Sequence, residues 1–244
     1  MQNRVAIIPG GVKGIGRDIA LSLAEAGWSI ALCYRTSEKE AESTCRDIES
    51  KGAQAIALHC DVSNPNAVKD FVELVENKWS RVDALINCAG PYHRINLLNE
   101  TVEGWNEMFD NNLHSLFYLC QAVTNGMIKR EYGRIIAFGM ANADKLSAQP
   151  AITAHYIANS GIITLARSFA KILAPHGITV NTISPGFIDS GSSPKEELER
   201  MKRYIPAGHV GENSDIVSMV NYLLSEDAKY VNGSNIQISG AWGV

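Results

Sequence analysis

Short apolar runs alternate with longer stretches in which apolar residues recur every three or four positions, and this alternation holds along the whole chain. Strands buried on both faces read as near-continuous apolar runs, so the rhythm predicts a parallel sheet sandwiched between helices. Strands are expected at RVAIIP (4–9), SIALCY (29–34), AQAIALHC (53–60), ALINCAG (84–90), GRIIAFG (133–139), ITVNTIS (178–184) and NIQISG (235–240). Helical spacing marks Ile15 to Glu25, Ser37 to Lys51, Asn66 to Trp79, Val102 to Met127, His155 to Leu173 and Ser214 to Leu224. Right-handed crossovers then give a doubly wound, seven-stranded parallel sheet, with ligands expected outside the strand carboxyl ends. No internal repeat, low-complexity tract or linker interrupts the pattern, so residues 1–244 are expected to form a single domain. The longest irregular stretch, 184–210, is expected to be a lid over the ligand crevice.

Composition narrows the setting. A net charge of −4 and a charged fraction of 20% lack the basic face that nucleic acid or an anionic membrane requires, and neither is expected as a partner. No apolar run approaches the ~18 residues of a membrane span, and MQNRVAIIPGG enters a strand without the pattern of a secretory signal. The five cysteines are widely spaced and show no metal-like pairing with the six histidines. They are expected to be small buried hydrophobes, and the protein to be cytoplasmic without a metal.

The first chemistry-bearing motif is PGGVKGIG, which places Gly10, Gly14 and Gly16 at the turn between the first strand and the first helix. Glycine lets backbone approach a pyrophosphate, and the exposed N–H groups and dipole of the helix hold its charge. The spacing is G-x-x-x-G-x-G rather than the common G-x-G-x-x-G. Further along stand CDVSN around Asp61, NCAG at 87–90, NNL at 111–113, GRII at 133–136, GITVNTISPGFI at 177–188 and SGAWG near the end.

With these motifs in this order, the chain resembles the classical short-chain dehydrogenase/reductases, and among them the 3-oxoacyl-acyl-carrier-protein reductases, over nearly its whole length. The resemblance implies a Rossmann fold. It gives Gly10, Gly14, Ile15 and Gly16 to the pyrophosphate, Asp61 and Val62 to the adenine, and Asn87, Ala89 and Gly90 to the floor beneath the ribose. Pro185, Gly186 and Ile188 would flank the nicotinamide, with Ser190 at the phosphates or carboxamide. Pro9 departs from the family's usual threonine or serine and removes one hydrogen bond from the turn. A homotetramer or homodimer built through the long helices is also implied.

Cofactor choice follows from charge. An acid at the end of the second strand would bind the 2′-hydroxyl of NAD and repel a 2′-phosphate. Here Tyr34 and Arg35 stand at that place, with Lys13 in the glycine loop, so NADP(H) is expected; Arg forks onto phosphate.

The resemblance also implies a Ser-Tyr-Lys set supported by an asparagine, and three of those four types are replaced. Asn112, with Asn111 as its neighbour, fits the supporting position. Met140 stands in place of the serine, and a thioether cannot polarise a carbonyl; Ser147 lies in a later loop. Counting back from SGIITLARSFAKILAPHGITVN puts His155 at the tyrosine position and Asn159 at the lysine, where Asn159 could bond a ribose hydroxyl. A one-residue shift puts Tyr156 and Ser160 there instead, and neighbours on a helix point about 100° apart, so both cannot face the cofactor. A phenol near pKa 10 needs an adjacent cation to work at neutral pH and an imidazole near 6.5 does not, so losing tyrosine and lysine together is coherent. In that scheme the imidazolium of His155 donates the proton.

Directly after NCAG come Tyr92, His93 and Arg94, which in this fold border the substrate crevice; Arg94 could meet a carboxylate or phosphate, and Tyr92 or His93 could replace the missing acid. Asn142, Asp144 and Lys145 are weaker candidates of the same kind. Two functions are compatible with these residues. One is an NADP(H)-dependent reductase acting on a carbonyl, imine or conjugated double bond of a small molecule. The other is a non-redox enzyme or NADP(H)-binding partner subunit on the same fold.

Overall fold

The computed structural model describes residues 4–191 and 195–243. Seven parallel strands form the central sheet: β1 (Val5–Pro9), β2 (Ser29–Tyr34), β3 (Ala55–His59), β4 (Ala84–Asn87), β5 (Gly133–Phe138), β6 (Ile178–Pro185) and β9 (Asn235–Ile238). Their order is β3-β2-β1-β4-β5-β6-β9, so successive strands run outward from β1 in one direction and then, from β4, in the other. This is a single-domain, doubly wound Rossmann-like sheet, and its switch point lies between β1 and β4.

The period of two along each strand divides the core. Val5 and Ile7 pack with α3 (Pro65–Trp79), α5 (Ser115–Arg130) and α6 (Thr153–Leu173) on one face. Ala6 and Ile8 pack with α1 (Gly14–Glu25), α2 (Glu38–Ser50) and α8 (Asn213–Leu224) on the other. Every residue of β1 and β4 is buried, as covering both faces of a parallel sheet requires. Helix starts follow their sequence signals. Asn64 accepts from the N–H groups of Asn66 and Ala67 ahead of Pro65, and Thr101 accepts from Gly104.

Two expectations need correction. The single helix expected from Val102 to Met127 is α4 (Val102–Met108), a π-helical turn (Phe109–His114) and then α5. Side chains inside the run bond back to the ladder: the Asn112 amide donates to the Met108 carbonyl at 2.9 Å, and the Ser115 hydroxyl to that of Asn111 at 2.8 Å. Such back-bonding competes with regular α hydrogen bonding and loosens the turn. Stretch 184–210 is not wholly irregular either. It holds β7 (Ile188–Asp189), which pairs in parallel with β8 (Gly211–Glu212), and α7 (Lys195–Lys202), whose KEELERMK sequence is too charged to show an apolar period. Positions 192–194, part of the expected lid, lie outside the described residues.

Candidate functional site

Two adjoining spaces open at the carboxyl ends of the strands. A cleft of about 640 Å³ lies over β1, β2, β3 and β4, and a cavity of about 780 Å³ lies beside it; Ile15 and Ser190 line both.

The cleft is built by the strand ends and the turns that leave them. Gly10 has φ +74°, and a Cβ there would sit 2.7 Å from the backbone carbonyl of Cys88, so glycine is required for the exit of β1 to lie against that of β4. Helix α1 starts in the cleft with Lys13 as its N-cap and no side-chain cap, which leaves its first N–H groups available to an anion. Lys13, Gly14, Gly16, Tyr34, Arg35, Asp61, Val62, Ala89 and Gly90 all line this space. Arg35 reaches across it, its Nη1 3.4 Å from Asn111 Oδ1 and its Nη2 3.9 Å from Glu107. The Tyr34 hydroxyl donates to Glu38. Partial burial pushes the Asp61 carboxyl up, but the hydroxyl and N–H of Ser63, with Arg35 and His59 further off, outweigh it and hold the group below its ordinary range. An uncapped helix N-terminus, a glycine-walled floor and two cations fit a dinucleotide with its phosphates over α1. Asn87, at the end of β4, is buried, with its Oδ1 meeting no donor.

The cavity takes Pro185, Gly186, Ile188 and Ser190 from the exit of β6 and from β7, Tyr92 and Arg94 from the loop after β4, and Met140 and His155 from the ends nearest the cleft. Its outer wall, Leu198, Arg200, Met201, Arg203 and Tyr204, comes from α7 and the turn after it, and Trp242 closes against Phe187 at 4.8 Å between ring centroids. The residues of this wall lie within the stretch 184–210 expected as a lid, but the sequence singled out none of them. The only available signal was the pair Leu198 and Met201, one helical turn apart.

Of the two helix registers, His155 lies at the cavity and Tyr156 does not. Tyr156 is 6% exposed, packs with Ala143 and Ile163, and has its hydroxyl among the carbonyls of Asn142 and Lys145 and the hydroxyl of Ser147. That ring is committed to holding the loop after β5. Ser160 likewise donates to the Ala143 carbonyl at 2.6 Å.

His155 meets Tyr92 edge to face, with centroids 5.0 Å apart. Asn159, one turn along α6, is buried and lines neither space. Its Nδ2 instead approaches the His155 carbonyl at 2.8 Å and Nε2 at 3.2 Å. If Asn159 donates to Nε2, the ring proton falls on Nδ1, which is buried, with the Pro91 carbonyl nearby. Burial, reinforced by His93, pushes His155 down to about 4; the nearby Pro91 carbonyl pulls weakly the other way. The ring is therefore neutral at physiological pH, which corrects the expectation of an imidazolium acid.

His93 does not line the cavity; its Nε2 is 2.8 Å from the buried carboxylate of Glu100. Asn112, in the π turn, donates to the carbonyls of Met108 and Pro91. Gly90 (φ +156°) lies so close that a Cβ there would be 2.3 Å from Asn112 Oδ1. Of the weaker candidates, Asp144 accepts from Gln237 and Lys145 donates to the Gly243 carbonyl, and none of Asn142, Asp144 and Lys145 lines either space. Among the described residues no cluster of ligating side chains could hold a metal, and no helix is long and apolar enough to cross a membrane.

A doubly wound sheet with two joined spaces at its switch point defines an α/β protein built to hold a long ligand beside a second, smaller one. The chain matches the family described as enoyl-(acyl carrier protein) reductase over residues 10–242. It is 33% identical over 241 residues to the 3-oxoacyl-(acyl-carrier-protein) reductase of Staphylococcus epidermidis, an alignment that spans 98% of each chain. A double mutant of a Serratia marcescens short-chain dehydrogenase/reductase superposes with a TM-score of 0.92 at 27% identity, covering 100% of this chain and 99% of that one. A point mutant of actinorhodin polyketide ketoreductase, solved with NADPH, superposes with a TM-score of 0.90 at 25% identity, covering 99% and 97%. The chain belongs to the short-chain dehydrogenase/reductase family of oxidoreductases.

Proposed function

We propose that this protein is an NADP(H)-dependent reductase acting on a carbonyl, imine or conjugated double bond of a small molecule, with a non-standard active site. The observation that carries the reading is His155, whose largely buried ring lines the cavity edge to face with Tyr92. His155 takes the place of the family's tyrosine, Asn159 that of its lysine and Met140 that of its serine.

NADPH, when bound, supplies the hydride. Gly14, Ile15 and Gly16 hold its phosphates on the start of α1, Asp61 and Val62 border the adenine, and Lys13 and Arg35 receive the 2′-phosphate. Neutral His155 would serve the acceptor atom of the substrate as a hydrogen-bond donor, which polarises it without a net charge. Asn159 fixes the tautomer by donating to Nε2. Met140 gives the pocket an apolar wall. The stretch around α7 covers the cavity and acts as the lid. An already cationic iminium asks for no proton on the acceptor and so suits a donor this weak. The low pKa of His155, which makes its imidazolium scarce at neutral pH, supports the second reading, an NADP(H)-binding protein without redox turnover.

The two readings separate on cofactor consumption over a panel of ketones, enones and cyclic imines, each with and without a carboxylate or phosphate group. The expected result is NADPH oxidation in preference to NADH, lost in His155→Phe with NADPH binding retained, and with the preference erased in Arg35→Ala. A panel without any turnover, or full activity in His155→Phe, would overturn the proposed mechanism.

A further inference from the structure

The cavity beside the cleft carries a charge pattern out of keeping with the rest of the molecule. The chain has a net charge of −4, yet Arg94, Arg200 and Arg203 line this space and no aspartate or glutamate does among the described residues. Arg94 and Arg203 come from segments far apart in sequence, the loop after β4 and the turn after α7, so their sharing one cavity belongs to the fold and not to a local basic run. Arg94 is exposed and forms no ion pair among the described residues. The Arg203 guanidinium lies 4.9 Å over the ring of Tyr204, which orients its plane while leaving its charge uncompensated. Around these cations the lining is apolar, from Ile152, Ile188, Leu198, Met201 and Trp242.

An arginine beside an apolar wall is screened less than one on an open surface, and its planar fork matches a carboxylate or phosphate with two parallel hydrogen bonds. A neutral ligand of similar shape would cover the apolar wall but leave Arg94 and Arg203 without a counterion. We propose that the substrate is a small amphipathic anion, with its apolar body against Leu198, Met201 and Trp242 and its carboxylate or phosphate held by Arg94 and Arg203. Placing its reducible group at His155 rests on the function proposed above; the anion site itself does not. The same cations repel a simple iminium, so an imine would be accepted here only if it also carried an anion.

The test is binding by the full-length protein, which is independent of turnover, with three probes that share one ring system: 2-naphthoate, 2-naphthyl phosphate and the uncharged 2-naphthamide. Calorimetry is expected to show at least one anion binding about tenfold or more tightly than the amide, the worth of a charge-assisted hydrogen-bond pair. Which anion binds tighter distinguishes a carboxylate substrate from a phosphate one. In Arg94→Gln/Arg203→Gln the ratio should fall to near one, with each single variant in between. NADPH affinity and the thermal midpoint should stay unchanged, since both side chains lie outside the cleft and the core. Both anions binding no more tightly than the amide, no binding of any probe, or a preference that survives the double variant would overturn the proposal. Anion selectivity without cofactor consumption would leave the site standing and remove the reductase reading alone.

Discussion

An uncharged imidazole at the centre of a reductase-like site changes what that side chain can do, and it leaves a mark on stability. The folded pKa of His155, about 4, lies below the ordinary value near 6.5, so between these values the unfolded chain binds the extra proton and folding is opposed as pH falls. The contribution is fully present above pH ~6.5, is lost progressively down to pH ~4, and amounts to about 3 kcal/mol at most. Urea unfolding of wild type and His155→Gln at several pH values from about 7 down to about 4 checks this. The wild type should lose stability more steeply than the variant, and parallel curves would show the ring to be less buried than described. The position of this residue was legible, because an ungapped count from the following helix and strand reaches it. Its charge state was not. That depends on burial and on His93, which arrives from a different loop. Asn159 shows the same limit: its type suggested a ribose contact, but an amide one turn from a histidine on the same helix face finds the ring first.

At the level of elements, the π turn between α4 and α5 is the least regular part of the helical layer, and it is the part that ties α4 and α5 to the exit of β4. Asn112 donates there to two carbonyls, those of Met108 and Pro91, and Gly90 makes room for it. Asn112→Ala leaves both carbonyls without this donor and is expected to cost about 2 kcal/mol in urea unfolding. Asn112→Asp should cost more, since it sets a carboxylate oxygen against those acceptors. A loss below about 0.5 kcal/mol in both would mean that the turn holds itself without the amide. Apolar periodicity gave no sign of this turn, because so short a π-helical stretch leaves the spacing of buried residues nearly unchanged. The strands were legible for the opposite reason. A run such as VAIIP has no polar residue to offer solvent and can only sit at the centre of a covered sheet. Helix α7 went unseen because its exposed faces are charged and too short a segment remains to set a period.

For the molecule as a whole, the cleft could be read in advance and the cavity only in part. The cleft is made by turns directly after β1 to β4, so its residues sit beside recognisable strands. The cavity is assembled from pieces as distant as Tyr92, Arg203 and Trp242, and only the packed chain shows that they share a wall. Its arginines also bear on how fast a ligand arrives. At ~10 mM salt a charge is felt over ~30 Å, so an approaching anion meets the field of the whole acidic molecule. At ~0.15 M the range shrinks to ~8 Å, the distant carboxylates fade, and the nearby guanidiniums dominate; at ~1 M they are screened too. Capture of 2-naphthoate followed by stopped flow should therefore be fastest at intermediate ionic strength and slower on either side. A rate that only falls as salt is added would mean that the mouth governs the encounter at every distance. The ionic strength of the surrounding solution thus becomes a dial on the rate of encounter, set by the contrast between an acidic surface and a basic entrance.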